Sequence, residues 1–171
     1  MGYNREMELS TLQSRLSALP LGQIAYFDVL DSTNEYALQW AKGGAQNLSL
    51  VVADEQTAGR GRSGRTWFTP PGAALAFSLV IKPEELGMGS VQITLLTGLG
   101  ALSVCQVLQK NYGLKAEIKW PNDVLVAGRK LAGVLAELSW QGEALQSAVL
   151  GIGINVAQDS VPPKSELNFP A

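Results

Sequence analysis

Gly59-Arg60-Gly61-Arg62-Ser63-Gly64-Arg65-Thr66-Trp67 lies between two apolar runs, Leu48 to Ala53 and Ala73 to Ile81, and its reading decides the fold. Three of the chain's six arginines fall within six positions here, interleaved with glycines and closed by a tryptophan. Glycine lets the backbone approach a ligand closely. Arginine offers a permanent charge and a planar fork of donors for phosphate or carboxylate oxygens. Two nucleotide-binding signatures nearly match. Gly59-x-Gly61-x-x-Gly64 has the spacing of a dinucleotide fingerprint, and Gly59-x4-Gly64-Arg65-Thr66 that of a P-loop with Arg in place of Lys. Both need a helix to open within the motif. Pro70, Pro71 and Gly72 follow almost at once and forbid one. A basic, glycine-rich loop between two strands remains, with a solvated surface loop as its plain alternative.

Working outward, Met7, Leu9, Leu12, Leu16 and Leu19 predict a helix from about Asn4 to Leu19, ended by Pro20 and Gly22. Gln23 to Leu30 reads as a strand. Ser32 followed by Glu35 is a capping-box signature for a helix through Ala41, stopped by Gly43-Gly44. Ser90 to about Asn111 reads as one long, central buried helix, with Val91, Leu95, Leu99, Leu102 and Leu108 at helical intervals. Ala116 to Trp120 is a short strand. Val124 to Val126 and Lys130 to Trp140 form a hairpin around Ala127-Gly128-Arg129, and Gln141-Gly142-Glu143 turns into a last strand, Ala144 to Val156. These sequential hairpins argue against an all-parallel sheet. The expected fold is α/β (α+β): a mixed, largely antiparallel sheet backed by helices on one face, with Trp120 and the Gly133 strand in its core. Residues 1–156 form the domain, and 157–171 read as a tail.

Composition narrows the chemistry. The 171 residues carry a net charge of −2 and no histidine, which removes histidine triads, bases and metal sites. The one cysteine, Cys105, excludes an internal disulfide and reads as a core thiol. The pI near 5.2 gives no polyanion-binding footprint. The N-terminus lacks a signal peptide's apolar run, and no stretch is long and apolar enough to span a membrane. An intracellular, cytoplasmic protein is the expectation.

Five motifs now stand in order: Asp31-Ser32-Thr33-Asn34, Gln56 to Trp67, Lys119-Trp120-Pro121-Asn122-Asp123, Gly128-Arg129-Lys130-Leu131-Ala132-Gly133, and Gly151-Ile152-Gly153-Ile154-Asn155. In this order they resemble the biotin–protein ligases (biotin–[acetyl-CoA-carboxylase] ligases), over about residues 30–156. The resemblance implies a class II aminoacyl-tRNA synthetase-like fold and a two-step reaction. Biotin and ATP, with Mg²⁺ expected, would give biotinyl-5′-AMP, which then acylates a lysine of a biotin carboxyl carrier protein. It implies Lys130 and Arg62 as catalytic residues. Ser32, Thr33, Asn34, Gln56, Gly59, Arg60, Gly61, Arg62, Lys130 and Gly133 fall on the biotin side. Arg60, Arg62, Arg65, Trp67, Asn122, Asp123 and Asn155 fall on the nucleotide side, with Trp67 stacked on adenine. Asp123 is the candidate to influence a metal. Each has a plain alternative: Ser32 a helix cap, Lys130 an exposed hairpin lysine, Asp123 a turn residue.

Some members of that family carry an N-terminal winged helix and a C-terminal β-barrel. Neither is expected here, so no DNA partner is expected. A homodimer through an exposed sheet edge is possible. The nearest alternatives are a lipoate/octanoate–protein transferase on the same fold, whose motif carries a histidine this chain lacks, and a catalytically impaired biotin- or nucleotide-binding fragment. The glycines and like charges of residues 59–67 predict a mobile flap that orders over the adenylate.

Overall fold

Strand alternation and tight turns dictate most of the architecture. In the computed structural model, which describes residues 9–161, seven strands form one sheet. They are β1 (Ile24–Leu30), β2 (Leu50–Gln56), β3 (Ala74–Ile81), β4 (Ala116–Lys119), β5 (Asp123–Val126), β6 (Arg129–Gln141) and β7 (Ala144–Asn155). Their spatial order is β1-β2-β3-β7-β6-β5-β4. β1 and β2 are parallel, and every other pairing is antiparallel. The late hairpins form where the turn residues predict. Ala127 and Gly128, both at positive φ, close β5 onto β6, and Gly142 at φ 60° turns β6 into β7. The helices are α1 (Leu9–Leu16), α2 (Thr33–Lys42), α3 (Ser90–Thr94) and α4 (Leu96–Tyr112). The part of the first expected helix before Leu9 lies outside the described residues.

The helices occupy both faces of the sheet, not one. Leu12 of α1 packs on Leu50 and Val52, and Ile93 and Leu96 pack on Ile81 and Ala148. Val104, Cys105 and Leu108 of α4 meet Val124, Ala132 and Val134 on that same face. The opposite face carries Ala37 of α2 against Val51, Val80 and Val149. The reason is topological. The parallel β1–β2 pair needs a crossover, and α2 supplies it on the face the other helices leave open.

The long apolar stretch also differs from its sequence reading. It breaks at Leu95 into α3 and α4, and α4 is half-buried rather than central. Its packed face is Leu96, Gly100, Ala101, Val104, Cys105 and Leu108. Of the leucines chosen by spacing, Leu108 is buried, but Leu95, Leu99 and Leu102 are 44–50% exposed. Both faces of this helix are apolar, so periodicity could not choose between them. Gly100 admits the closest approach: a Cβ there would lie 2.9 Å from Val134 Cγ1. Trp120, expected in the core, is 74% exposed and lies against Gly98. Cys105 is buried as expected, and burial raises its thiol pKa. No helix among the described residues is long and apolar enough to cross a membrane.

Candidate functional site

On the α2 face, β6 and β7 alternate between large and small side chains. Ile152 and Ile154 pack toward α4, which leaves Gly151 and Gly153 on the other side. Gly153 lies opposite Gly133 of β6 and Ala76 of β3, while Gly151 lies opposite Leu135 and Ser78. These small residues make a flat floor under a cavity of about 630 Å³. The Gly-Ile-Gly-Ile-Asn motif is therefore a strand with one face for the core and one for the cavity.

The walls come from three places. Ser32, Thr33 and Asn34 stand at the start of α2, each under 5% exposed. Ser32 is the N-cap, accepting the Glu35 N–H at 3.4 Å. The reciprocal half of the capping box is not made by the Glu35 carboxylate, which turns to Arg60 and Gln39 instead. Gln56, at the end of β2, accepts the Thr33 N–H at 2.8 Å and donates to Thr69 Oγ1 at 2.9 Å. The third wall is the hairpin at β5–β6, which supplies Asp123, Lys130 and neighbouring Asn122.

Lys130 reaches the cavity because of a β-bulge. The register passes from Val124↔Ala132 to Leu125↔Lys130, so Leu131 is the extra residue. Simple alternation from Gly133 would send Lys130 to the α4 face. The bulge reverses that parity, sending Leu131 to the core and Lys130 to the cavity. Lys130 Nζ lies 2.9 Å from Asp123 Oδ1 and 5.2 Å from the centroid of the Trp67 ring. Asn155 donates to the Lys130 carbonyl at 3.2 Å, bracing the bulged segment.

The basic loop is braced by its own backbone hydrogen bonds. Gly61 N–H donates to the Arg65 carbonyl at 2.7 Å, and Trp67 N–H to the Gly59 carbonyl at 2.8 Å. A short 3₁₀ turn, Arg62–Gly64, forms its tip. Gly59 is required by close approach, since a Cβ there would collide with the Trp67 carbonyl. The loop folds its indole inward. A Cβ at Gly153 or Gly133 would strike the Trp67 ring, so the indole lies flat on the glycine floor. Its Nε1–H is buried without a hydrogen-bond partner. Such an orphan costs about 1–3 kcal/mol, which weakens the hold of this position on the ring.

The arginines are not equivalent. Arg62 donates to Asn122 Oδ1 at 3.1 Å and keeps its charge unopposed by that partner. Arg60 is engaged by two carboxylates, Glu35 at 2.5 Å and Glu137 at 2.7 Å. Gly61 and Arg65 line the cavity beside them. All the residues expected at the site thus gather at one cavity except Gly59, which borders a second groove on the outer side of the loop. The sequence reading missed Glu35, Glu137 and Ser78. Counting by twos from Gly133 along β6 reaches Leu135 and Glu137 and was the available signal.

The residues present do not fit a protein-built divalent-metal site. No cluster of three acidic, histidine or cysteine side chains exists among the described residues. The Oδ1 of Asp123 already accepts from Asn122 at 3.0 Å and pairs with Lys130.

Comparison with known proteins matches residues 26–155 to the Biotin/lipoate A/B protein ligase family. The chain is 39% identical over 150 residues to "Bifunctional ligase/repressor BirA" of Bacillus subtilis, covering 87% of this chain and 45% of that protein. It is 42% identical over 127 residues to "Biotin--[acetyl-CoA-carboxylase] ligase" of Paracoccus denitrificans, covering 74% and 52%. The chain thus spans about half the length of these curated relatives. Among solved structures, the Aquifex aeolicus biotin protein ligase in complex with biotin and ATP is similar at TM-score 0.66 and 34% identity, over 83% of this chain and 56% of that one. The Leishmania major biotin protein ligase in complex with biotinyl-5-AMP is similar at TM-score 0.61 and 27% identity, over 86% and 62%.

Proposed function

Since the chain belongs to the Biotin/lipoate A/B protein ligase family, we propose that it is a biotin–protein ligase, activating biotin with ATP and transferring it to a lysine of a biotin carboxyl carrier protein. In the first step a biotin carboxylate oxygen attacks the α-phosphorus of ATP. The bond to the β-phosphate bridging oxygen breaks, and pyrophosphate leaves. In the second step the neutral amine of the acceptor lysine attacks the acyl carbon of the mixed anhydride, AMP leaves, and the amine loses a proton.

The observation that carries this reading is the convergence of Lys130 and Arg62 over a glycine floor. Two anions must meet in the first step, and fixed cations are what lowers that barrier without a histidine. Lys130 stands at the junction of floor and hairpin, where the biotin carboxylate and the α-phosphate would come together. Arg62 and Arg65 face the outgoing pyrophosphate. Ser32, Thr33 and Gln56 supply polar groups for the ureido ring at the buried end of a cavity that is otherwise small or apolar. The Trp67 indole leaves the floor as ligand enters and offers its face to the adenine. Asn122, Asp123 and Asn155 hold Arg62 and Lys130 in register. Mg²⁺, where it accompanies ATP, leans on the phosphates and their waters.

Pyrophosphate release on adding biotin and ATP tests the reaction, with lipoate in place of biotin as the competing substrate. Binding of biotin and nucleotide without pyrophosphate release overturns the enzymatic reading for this chain. Lys130→Ala is expected to abolish adenylate formation while the melting temperature stays close to that of the parent, because the side chain is exposed. Removing one such preorganised cation commonly costs roughly 3–4 kcal/mol of transition-state stabilisation, or a factor of about 10²–10³ in rate. Undiminished adenylate synthesis by that variant refutes the role of Lys130.

A further inference from the structure

Trp67 is folded onto ground that a ligand needs. Gly133 and Gly153 are paired across β6 and β7, and Asp123 of β5, which holds the Lys130 ammonium at 2.9 Å, continues that row. The polar end of the cavity lies on the other side of β7. There Ser78 of β3 is opposite Gly151, and its Oγ is 2.8 Å from Thr33 Oγ1. A molecule that meets both Thr33 and Lys130 has to cross β7 and β6 over Gly153 and Gly133. The indole already covers these two glycines. A Cβ built on Gly153 would overlap its Nε1 and Cε2 atoms, and one on Gly133 would lie 2.9 Å from its Cζ3.

The ring is only a partial match to this place. Carbon suits the floor, and Lys130 Nζ stands 5.2 Å from the ring centroid, where the electron-rich face of an indole attracts a cation. The N–H is the misfit. Nε1 is buried against Gly153, and no acceptor reaches it. Seated here, the indole covers the floor and faces Lys130 as the acyl chain and carboxylate of biotin would, but it leaves a donor unsatisfied that they would not.

We infer that Trp67 is a place-holder that competes with biotin: its indole covers the floor until the ligand arrives, and biotin binds only as the ring leaves. The inference rests on the proposed function for the identity of the ligand and goes beyond it in sign. A tryptophan that walls or braces bound biotin would strengthen its binding. A place-holder weakens it, because only the fraction of molecules with an uncovered floor can bind.

The test is calorimetric titration of the full chain with biotin, without nucleotide. Trp67→Ala uncovers the floor and is expected to bind biotin at least threefold more tightly than the parent. Trp67→Phe keeps a ring there without the N–H and should bind no more tightly than the parent. A smaller gain or a loss in Trp67→Ala overturns the inference, as does a threefold gain in Trp67→Phe. Solvent exchange of the Trp67 indole N–H is the second readout, identified in the proton spectrum by its loss in Trp67→Phe. It should be at least tenfold slower than that of Trp120, which is 74% exposed, and saturating biotin should quicken it. Exchange as fast as that of Trp120, or unchanged by biotin, overturns the place-holder, and this arm decides if Trp67→Ala does not fold. If the parent itself binds no biotin, the proposed ligand is what fails, and the exchange rate alone decides whether the ring is seated on the floor.

Discussion

Gly151→Ala probes the site where an added Cβ has the least room among the described glycines. A methyl group at this position would occupy the space of the Asn34 carboxamide. Asn34 has no easy retreat: it is held on the first turn of α2 and bonded to Ser78 and Glu137. One escape is to spread the helix from the sheet, an overpacking strain of about 1–3 kcal/mol. The other is to swing Asn34 aside, which gives up its bonds to Ser78 and Glu137 and leaves a buried carboxamide unsatisfied, at about 1–3 kcal/mol. Either route gives a loss of roughly 1–3 kcal/mol, a sizeable part of the ~5–15 kcal/mol that holds an ordinary domain together. At roughly 2–4 °C per kcal/mol for a domain of this size, the melting temperature should fall by about 2–12 °C. Urea unfolding with an unchanged m-value is the cleaner assay. Adding Asn34→Ala should recover part of the loss, since it removes the atoms struck. A loss below about 1 kcal/mol, or strict additivity in the double variant, would refute the claim that Asn34 is wedged in place.

Other substitutions separate packing from site. Gly153→Ala should displace the Trp67 indole rather than a core residue, so stability changes by less than about 1 kcal/mol while tryptophan fluorescence shifts and ligand affinity falls. Within α4, Gly98→Ala adds a Cβ 3.4 Å from the exposed Trp120 ring and should stabilise the helix by about 0.5–1 kcal/mol, whereas Gly100→Ala strikes Val134 and should cost about 1–3 kcal/mol; equal effects in thermal melts would contradict the assigned faces. Cys105 should resist a thiol reagent at neutral pH until the chain unfolds. Burial raises its folded pKa, so the folded thiol keeps its proton where the unfolded one ionises. The stability this contributes is complete below the unfolded value of about 8.5 and is lost as pH rises above it; a thiol that titrates and reacts as freely as one on the surface contradicts this placement.

The sheet was largely legible because its signals are local. Ala127-Gly128 and Gly142 mark two hairpins, and Pro70-Pro71-Gly72 denies the loop a helix. Ser32 with Gly43 brackets α2. What could not be read depends on partners far along the chain. Leu95, Leu99 and Leu102 have faultless helical spacing yet face outward, since choosing a face requires knowing where Val134 and Leu150 lie. The bulge at Leu131 leaves no mark in composition, and without it Lys130 belongs to the wrong side of the strand. The gathering of the arginines was visible, but the pairing of Arg60 with Glu35 and Glu137 was not. That pairing joins residues 25 and 77 positions apart, and only the strand register brings them together.

The glycine floor has a thermodynamic consequence. Gly133, Gly151 and Gly153 have no rotamers to freeze, so a ring laid on them meets a surface whose configurational entropy was lost when the chain folded and not when the ligand arrived. Such a surface cannot adjust to a poorly shaped guest. Selectivity at the floor then comes from planarity and thickness, properties a side chain that moves aside would forgive.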